Sequence, residues 1–428
     1  MLTASCTVLR EFLYALVELV CALPRHLLSL MMRKKRLQHF GQLAKLDALD
    51  PAQLSDSPRP IHSVFIAVGD QSGQAHALKL IRLLKQRHPG IKIRGFGGDE
   101  MQAQGVEVLL PLADLNIMGF VDVIARLPLF FKAIYRFTRD IKQRPPDIVL
   151  LIDYPGLNRH LLRIARRNKV KVVDYIVPQL WAWAPWRVRD FKHADALLSI
   201  LPFETSWYNS KGADAHFVGH PIADELPGIN NNQDSNIIAI LPGSRKREIR
   251  SNLPLMLEAA MKMKRANPML EFILPHSRES LRELIQEILN GYDLEVEISF
   301  GNWHAQLAKV RAAWVVSGTA SLEVAALGIP AVIVYKIDSI FGSWVARNAL
   351  AVPFIGGINL LANKEMLPEV VGRDISADDL CNALLPLLDE DRYPLLQQQL
   401  QDIRDRYLLP GVSQRVVEII ENIEPNTI

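Results

Sequence analysis

The feature that most constrains the fold is a series of short apolar runs, each followed by a turn and then by a stretch with helical periodicity. Residues 63–69 read Ser-Val-Phe-Ile-Ala-Val-Gly and precede a predicted helix over 74–87. Continuous apolar runs of this kind are typical of parallel strands buried on both faces of a sheet. The alternation therefore predicts an α/β protein with a doubly wound sheet.

The alternation occurs twice along the chain. In the first series, further strands are predicted at 91–96, 148–152 and 170–176, with helices at 130–144 and 159–168. A polar segment, 228–235, separates this series from predicted strands at 237–241, 271–274, 313–316 and 331–335. Two doubly wound sheets predict two domains that face a cleft, with ligands at the carboxyl ends of the strands.

Length and composition agree with this organisation. A chain of 428 residues suits two domains with an appendage, and 49% hydrophobic against 22% charged residues favours packed cores over disorder. We expect a helical extension with a linker at 1–60, an N-terminal Rossmann-like domain at 61–230 and a C-terminal Rossmann-like domain at 231–428. The C-terminal helices of the second domain could return to the first.

Charge and cysteine usage exclude some classes of protein. A net charge of +3 does not imply a nucleic-acid partner. Cys6, Cys21 and Cys381 are scattered, which supports neither a disulfide framework nor a zinc site and suits a reducing cytoplasm. The P-loop, H-E-x-x-H and G-x-S-x-G motifs are absent from the sequence, so we expect neither a metal nor a cofactor.

The N-terminal extension is apolar but cannot supply a clean membrane span. Over residues 9–32, charged side chains interrupt the apolar pattern and Pro24 divides it, so no run of ~20 apolar residues remains. The order of a secretory signal is also missing. We predict a pair of amphipathic helices followed by a basic run, 33–36, that could lie on an anionic membrane surface. The alternative is a helical hairpin packed on the body or on a second subunit.

One turn of the second series suits a diphosphate. The strand at 237–241 leads into Gly243, Ser244 and Arg245, and a helix follows. Backbone N–H groups, a hydroxyl and a guanidinium thus gather at a helix N-terminus, which attracts anions. The alternative is an ordinary turn with a surface arginine.

A second turn of the same series is built of small residues that let a nucleotide approach the backbone. These are Ser317, Gly318, Thr319 and Ala320. About one turn further on, Glu323 could accept hydrogen bonds from a ribose diol. Alternatively, its charge could only complement the dipole of the helix.

In the first series a carboxylate and a group of tryptophans stand out. Asp153 directly follows the apolar strand 148–152, where it could act as a general base, and partial burial would raise its pKa to suit that task. The alternative is a turn aspartate that caps the next helix. Trp181, Trp183 and Trp186 could line a sugar or acyl groove or meet a lipid interface, or could pack in the core.

An ordered set of motifs makes the sequence resemble the lipid-A-disaccharide synthase family from about residue 62 to beyond residue 410. The motifs are Gly69-Asp-Gln-Ser-Gly73, Ile117-Met-Gly-Phe-Val121, Ile152-Asp-Tyr-Pro155, Pro178-Gln-Leu-Trp-Ala-Trp183, Leu201-Pro-Phe-Glu204, Gly219-His-Pro221, Leu241-Pro-Gly-Ser-Arg245, Ser317-Gly-Thr-Ala-Ser-Leu-Glu323 and Asn359-Leu-Leu-Ala362.

This resemblance implies a GT-B fold of two Rossmann-like domains and an inverting glycosyl transfer. A 2,3-diacylglucosamine would move from UDP to the 6-hydroxyl of 2,3-diacylglucosamine 1-phosphate. Asp153 matches the family's proposed general base. The implied substrate-binding residues are Asp70, Ser72, Gly73, Met118, Gly119, Trp183, Gly243, Ser244, Arg245, Ser317, Gly318, Thr319, Ala320, Glu323 and Asn359.

The resemblance further assigns the acceptor to the domain at 61–230 and the UDP-sugar donor to the domain at 231–428, and it suggests a homodimer. The N-terminal extension lies outside the family pattern, so the peripheral contact with inner-membrane lipid that we expect on the cytoplasmic face rests on its amphipathic character. The chain departs from the family at the first turn, where Asp70 stands for the usual Glu and Gln74 for the usual Asp. Two alternatives stay open, and the departure motivates the second of them. One is a GT-B enzyme acting on another UDP-N-acetylhexosamine; the other is a catalytically weak paralogue that binds acylated sugars.

Overall fold

The computed structural model describes residues 2–43, 59–113, 127–226, 235–301, 303–337 and 352–424. By its internal contacts the chain divides into two compact units. Unit 1 consists of Met1–Met32, Ala48–Asp224 and Pro410–Ile428, and unit 2 consists of Arg33–Asp47 and Glu225–Leu409. The predicted linker at the end of the extension and the polar segment 228–235 lie almost entirely outside the described residues.

Within the described residues, the strands are β1 (Ser63–Ala67), β2 (Lys92–Phe96), β3 (Glu107–Leu110), β4 (Ile148–Ile152), β5 (Lys171–Tyr175), β6 (Ala196–Ser199), β7 (Ala215–Phe217), β8 (Ile237–Leu241), β9 (Glu271–His276), β10 (Glu297–Phe300), β11 (Ala312–Val316), β12 (Ala331–Lys336) and β13 (Glu369–Gly372).

The helices described are α1 (Leu2–Met31), α2 (Arg33–Leu43), α3 (Gln71–Arg87), α4 (Asp99–Ala103), α5 (Leu127–Gln143), α6 (Pro155–Arg167), α7 (Leu180–Trp183), α8 (Val188–Phe191), α9 (Pro202–Asn209), α10 (Lys246–Ala266), α11 (Arg282–Leu289), α12 (Trp303–Leu307), α13 (Thr319–Ala326), α14 (Gly357–Ala362), α15 (Ala377–Leu384), α16 (Arg392–Tyr407) and α17 (Val412–Asn422).

Unit 1 is built on a parallel sheet in the order β3-β2-β1-β4-β5-β6-β7. All five residues of β4 are buried, as expected for a central strand covered on both faces. Phe65 of β1 packs edge-on against Phe96 of β2 and Phe137 of α5, with ring centroids 5.2 and 4.9 Å apart. This aromatic cluster holds α5 against the sheet.

The strand order of unit 1 reverses between β1 and β4, which pair directly. At such a switch point, the loops that leave the two strands run to opposite sides of the sheet and open a crevice, where ligands of α/β proteins bind. In unit 1 these loops start at Val68 and Asp153.

Unit 2 contains a parallel sheet in the order β10-β9-β8-β11-β12-β13. Its switch point lies between β8 and β11, and the loops there start at Pro242 and Ser317. In the core, the buried Trp314 stacks on Phe272 with centroids 6.4 Å apart and donates a hydrogen bond to the Leu380 carbonyl at 3.2 Å. Both units therefore confirm the doubly wound α/β fold.

Every strand predicted from the sequence is present, with ends displaced by two residues or fewer. The prediction omitted β3, β6, β7, β10 and β13. Four of these are the outermost strands of their sheets, where partial exposure removes the continuous apolar run. The fifth, β6, is buried but only four residues long.

The C-terminal helix α17 belongs to unit 1. Arg87 at the end of α3 donates two hydrogen bonds to Glu421, at 2.8 and 2.7 Å. At the start of α17, the carboxylate of Asp224 accepts from the backbone N–H groups of residues 411–413 at 2.7 to 3.0 Å. Both ends of the last helix are thereby tied to other elements of unit 1.

The N-terminal extension forms one long helix, α1, and the basic run begins α2. The prediction that Pro24 divides the apolar segment is wrong, since α1 continues through it. A proline removes one backbone hydrogen bond and can kink a helix without ending it. The turn beyond Pro24 is held in place because Arg25 donates to Glu18 at 2.6 Å and His26 packs edge-on against Trp186, with centroids 4.8 Å apart.

Buried charges fix α1 to unit 1. Glu11 is completely buried and pairs with three cationic or imidazole side chains of α6. His160 and Arg167 each lie 2.8 Å from its carboxylate oxygens, and Arg163 also donates to it. Tyr14 donates to Asp190 at 2.6 Å. The charges that interrupt the apolar pattern in the sequence are therefore the docking contacts of α1.

The opposite side of α1 is apolar and exposed. Leu13, Leu16, Val17 and Val20, here called the apolar stripe, keep 46 to 71% of their surface accessible. Their spacing of three and four residues places them on one face of the helix. Within the described ranges, no helix combines the length and apolar composition that crossing a membrane requires.

Candidate active site

Unit 1 places two carboxylates at its switch point, one on each turn. Asp70 follows β1 and caps α3, with its Oδ1 accepting a hydrogen bond from the Gly73 backbone N–H at 2.8 Å. Ser72 is exposed in the first turn of α3, whereas Gly73 is buried. Asp153 follows β4. The structure thus brings four of the predicted site residues to one switch point.

The backbone of Asp153 is left-handed, with φ of 41°, a conformation that aspartate and asparagine tolerate better than most residues. Helix α6 starts after Tyr154 and has no side-chain cap. Asp153 therefore does not cap the helix that follows it. Within the described residues, no hydrogen bond to its carboxylate is present.

Burial raises the pKa of Asp153, and the negative charge of Asp70 adds to that effect, so that the pKa reaches about 7. A general base works best when its pKa lies near the working pH. A carboxylate without a partner at this pKa can accept a proton from a substrate hydroxyl. The geometry and the electrostatics of this turn both suit proton abstraction.

The two turns of the switch point touch each other. A Cβ atom added to Gly69 would lie 2.1 Å from the Cγ atom of Tyr154, so the tyrosine ring covers the glycine. Tyr154 also faces Phe130 of α5, with ring centroids 6.0 Å apart. Contacts on both sides of its ring therefore hold the residue next to Asp153.

Two buried acids behind this turn were missed by the sequence analysis. Asp174 on β5 is fully buried, and burial raises its pKa well above the usual range. Its Oδ1 accepts from Asn158 at 3.1 Å, while its Oδ2 has no partner among the described residues. Burial raises the pKa of Glu204 to about 7, although the Trp181 indole donates to it at 3.0 Å. The motifs containing Trp181 and Glu204 were recognised, but a motif does not reveal that a side chain is buried.

His220 belongs to a recognised motif to which no role was assigned. Burial, and then the charge of His76, lower the pKa of His220 to about 3. Its imidazole is therefore neutral at physiological pH. It follows Gly219, whose φ of 92° is in the region that favours glycine.

The three tryptophans have separate environments. Trp181 is buried and packs edge-on against Phe203, with centroids 4.9 Å apart. Trp183 is half-buried, with the Arg187 guanidinium 5.0 Å from its ring. Trp186 packs against α1. Trp183, which the family resemblance implies in substrate binding, is therefore neither buried in the core like Trp181 nor packed on α1 like Trp186.

Met118 and Gly119, which the resemblance also implies in substrate binding, lie outside the described residues.

The first turn of unit 2, residues 242–245 and here called the anion loop, binds a carboxylate of the following helix. Gly243 has φ of 107°, and Glu248 in α10 accepts from the Ser244 backbone N–H at 3.0 Å. Arg245 donates to the same carboxylate at 3.1 Å. His276 lies 3.1 Å from the Gly243 carbonyl. Ser244 and Arg245 therefore already hold a carboxylate in the way that they would hold a phosphate.

The second turn of unit 2 presents small residues. Gly318 and Thr319 are exposed, and Ala320 is half-buried. Ser317 donates to the Ile355 carbonyl at 3.1 Å, which ties this turn to the segment before α14. Glu323 lies one turn inside α13 and is half-buried. These residues follow β11 and lie beside the anion loop that follows β8 in the same sheet.

Asn359 is fully buried and its amide is satisfied within unit 2. Its Nδ2 donates to the Leu367 carbonyl at 2.7 Å and to Glu369 at 2.8 Å, and its Oδ1 accepts two backbone N–H groups. Glu369 also accepts from the Ile355 backbone at 2.9 Å. These contacts suit a residue that positions the segment bonded to Ser317. Glu369 lies outside every motif recognised in the sequence.

Among the described residues, no group of three or more His, Cys, Asp or Glu side chains is placed to hold a metal ion. That the reaction needs no metal or cofactor stays a prediction. In unit 2, Arg245 and the N-terminus of α10 supply positive charge at the turn after β8.

Two doubly wound parallel units, one with a candidate base and the other with an anion loop at the switch point, have the architecture of the GT-B class. Solved structures agree with this fold. The calicheamicin glycosyltransferase CalG4 is similar with a TM-score of 0.56 and 16% identity, over 86% of this chain and 100% of that one. MurG of Acinetobacter baumannii is similar with a TM-score of 0.54 and 17% identity, over 85% of this chain and 99% of that one. At these identities, the similarity concerns the fold.

Sequence comparison is more specific. The family model of lipid-A-disaccharide synthetase matches residues 64–416. The lipid-A-disaccharide synthase of Syntrophus aciditrophicus is 33% identical over 366 residues, which are 82% of this chain and 95% of that protein. The chain belongs to the lipid-A-disaccharide synthase family.

Proposed function

We propose that this chain joins two acylated glucosamine units. It transfers 2,3-diacylglucosamine from UDP-2,3-diacylglucosamine to the 6-hydroxyl of 2,3-diacylglucosamine 1-phosphate. The products are the β-1,6-linked tetraacyl disaccharide 1-phosphate and UDP. The observation that carries the proposal is the turn after β4, where Asp153 has a pKa of about 7 and no hydrogen-bonded partner among the described residues.

In this mechanism Asp153 removes the proton of the acceptor 6-hydroxyl as its oxygen attacks the anomeric carbon of the donor. The bond between that carbon and the UDP oxygen breaks, and attack from the opposite face inverts the configuration. The proton stays on Asp153 and leaves to water after product release. Burial, together with the charge of Asp70, keeps the pKa of Asp153 high, which strengthens the base without preventing its ionisation at neutral pH.

We assign the acceptor to unit 1 and the UDP moiety to unit 2. Arg245 and the backbone at the N-terminus of α10 receive the diphosphate, and Glu248 gives up its contacts to Ser244 and Arg245 when the donor binds. The exposed turn at Gly318 and Thr319 lets the nucleotide approach, and Glu323 is placed to accept hydrogen bonds from the ribose. The charge on the leaving UDP is thus stabilised by unit 2.

We also propose that the protein binds peripherally to the cytoplasmic face of the inner membrane. The apolar stripe of α1 is exposed, and Lys34 and Lys35 at the start of α2 are exposed as well. Apolar side chains next to a basic run suit an anionic membrane surface. The homodimer implied by the family resemblance stays a prediction, which light scattering in detergent would test.

The test of the proposed function uses the full chain in detergent with UDP-2,3-diacylglucosamine, 2,3-diacylglucosamine 1-phosphate and EDTA. UDP release is followed while mass spectrometry identifies the lipid product. Acceptor-dependent UDP release with the tetraacyl disaccharide phosphate supports the proposal. UDP release with other UDP-N-acetylhexosamines alone, or donor binding without turnover, contradicts it.

A further inference from the structure

An apolar groove of about 550 Å³ lies between α1 and α5 in unit 1. Its lining positions are 5, 8, 9 and 12 on α1 and 128, 131, 132 and 135 on α5. Both sets have the same spacing of three, one and three residues, so each helix presents one face along about two turns, roughly 10 Å. The groove is therefore elongated and has a wall on each side.

The walls are almost entirely apolar. Val8, Leu9 and Phe12 face Pro128 and Phe131, and the rings of Phe12 and Phe131 meet edge-on with centroids 5.5 Å apart. Small-molecule sites of this size are typically lined by apolar and aromatic side chains with a few polar groups. An elongated apolar groove suits a hydrocarbon chain better than a sugar or a nucleotide.

One cation lies at the groove. Lys132 is exposed, and among the described residues no carboxylate lies within ion-pair distance of it. A ligand that combines a hydrocarbon chain with a negative group would match both the walls and this ammonium.

The groove is connected to the candidate catalytic turn through the first turns of α5. Phe131 lines the groove, and its neighbour Phe130 faces Tyr154, with ring centroids 6.0 Å apart. The Cζ atom of Phe130 lies 3.9 Å from the position that a Cβ on Gly156 would occupy. Asp153 directly precedes Tyr154. The same short helical segment thus contacts both the groove and the turn that bears the base.

We propose that this groove binds an acyl chain of the acceptor lipid while its sugar hydroxyl lies at Asp153. The acceptor carries both the hydrocarbon chains and the phosphate that this site would recognise, and the link through Phe130 favours it over a bilayer phospholipid. One wall of the groove belongs to the N-terminal extension, so α1 takes part in substrate selection. The inference rests on the proposed function.

The test compares two acceptors, 2,3-diacylglucosamine 1-phosphate with long chains and its dibutanoyl analogue, on the full chain in detergent. Val8→Trp fills the groove from the α1 side. We expect its KM for the long-chain acceptor to rise about tenfold or more, the effect of withdrawing two methylene groups from an apolar site. The donor KM and the kinetics with the dibutanoyl acceptor should change less than twofold.

Leu19→Trp is the matched control, because Leu19 is an exposed residue of α1 that does not line the groove. Phe131→Ala provides a second test from the α5 wall, in case Val8→Trp displaces α1. It should reduce the preference for the long-chain acceptor over the short one. Equal effects of Val8→Trp and Phe131→Ala on both acceptors, or no effect on either, would overturn the inference.

A long-chain acceptor with a diazirine at the end of one acyl chain gives an independent measurement. Labelling of peptides from α1 and α5 supports the inference. Labelling elsewhere, or labelling of these peptides only by a diazirine phospholipid, contradicts it. A wild-type protein that forms no disaccharide from either acceptor instead refutes the proposed function, so the two failures are distinguishable.

Discussion

The carboxylates of Asp70 and Asp153 lie on the two turns of one switch point, and the charge of the first raises the pKa of the second. Asp70 has a second, structural role, because its carboxylate also caps α3 by accepting a hydrogen bond from the Gly73 backbone N–H. Its influence on Asp153 is electrostatic and requires no contact with substrate. In the proposed mechanism, Asp70 therefore acts on the reaction through the residue that it perturbs.

This relationship predicts a specific pH dependence. The pKa of Asp153 is raised to about 7. A general base acts when deprotonated, so kcat/KM should fall tenfold per pH unit below that value. Asp70→Asn removes the neighbouring charge and should move the acidic limb of the kcat/KM profile to lower pH, while asparagine keeps the helix cap. Pre-steady-state or kcat/KM profiles from pH 5 to 9 measure the shift. Asp214→Asn, at an exposed aspartate of the same unit, should leave the limb in place.

Replacement of the base itself has a larger expected effect. Asp153→Asn should lower kcat by ~10²–10⁴-fold, the usual contribution of general-base catalysis. Asparagine is the better choice than alanine, because it tolerates the left-handed backbone at this position. Circular dichroism and donor affinity should be unchanged. A variant with wild-type kcat would exclude Asp153 from proton transfer.

Arg245 should act on donor binding. Arg245→Ala should raise the donor KM or Kd by about tenfold or more, since hydrogen bonds between charged groups contribute ~1.5–3 kcal/mol. The acceptor KM should change little. Arg282 is the matched control, because it also pairs with a glutamate three residues away in unit 2. Equal donor affinities of Arg245→Ala and Arg282→Ala would argue against the anion loop.

The apolar stripe of α1 predicts membrane binding. Val17→Asp combined with Val20→Asp should reduce cosedimentation with vesicles containing phosphatidylglycerol, because charged side chains resist transfer into the interface. Met269→Asp changes an equally exposed apolar residue of unit 2 and serves as the control. Should both variants bind vesicles as the wild type does, the stripe is not the membrane contact.

The docking of α1 should depend on pH through Glu11. Burial alone would raise its pKa, but the hydrogen bond from His160 and the charge of Arg163 outweigh it, and the pKa falls to about 2. A carboxylate whose pKa is lower in the folded protein than in the unfolded chain stabilises the fold at pH values above its ordinary pKa of 4.5. That stabilisation is lost as the pH falls through the folded-state pKa of about 2.

Glu11→Gln should therefore lower the melting temperature at pH 7 and expose α1 to hydrogen exchange, because it leaves buried cations without their carboxylate. Between pH 4.5 and 2, the wild type should lose more stability than this variant. Glu287→Gln, at an exposed position, provides the comparison. Equal hydrogen exchange in α1 of wild type and Glu11→Gln would show that the ionic contacts do not hold the helix.

The sequence predicted the central strands because burial on both faces leaves a continuous apolar run, as in β4. It predicted Asp153 and Arg245 as site residues because each follows a buried strand of a parallel sheet, where ligands bind. Asp70 was predicted only through the resemblance to the family. The edge strands β7 and β13 were not predictable in this way, since β7 has only three residues, one of them a histidine, and β13 has a glutamate and a glycine at its ends.

The remaining site features depend on partners that are distant in sequence. Glu11 interrupts an apolar pattern, and nothing near it in the chain indicates that its partners lie about 150 residues away on α6. Pro24 is similar, because the contact between His26 and Trp186 keeps the helix together beyond it. The satisfied amide of Asn359 depends on Glu369, which no recognised motif contains.

The tyrosine ring over Gly69 affects how a mutational scan of this enzyme should be interpreted. Any side chain at position 69 would push Tyr154 away and, with it, the backbone that orients Asp153. A scan that scores only growth or turnover would rank Gly69 with the catalytic residues, although it has no functional group to offer a substrate. Activity loss at this glycine would report displaced geometry, and a second substitution that shrinks Tyr154 should partly restore turnover.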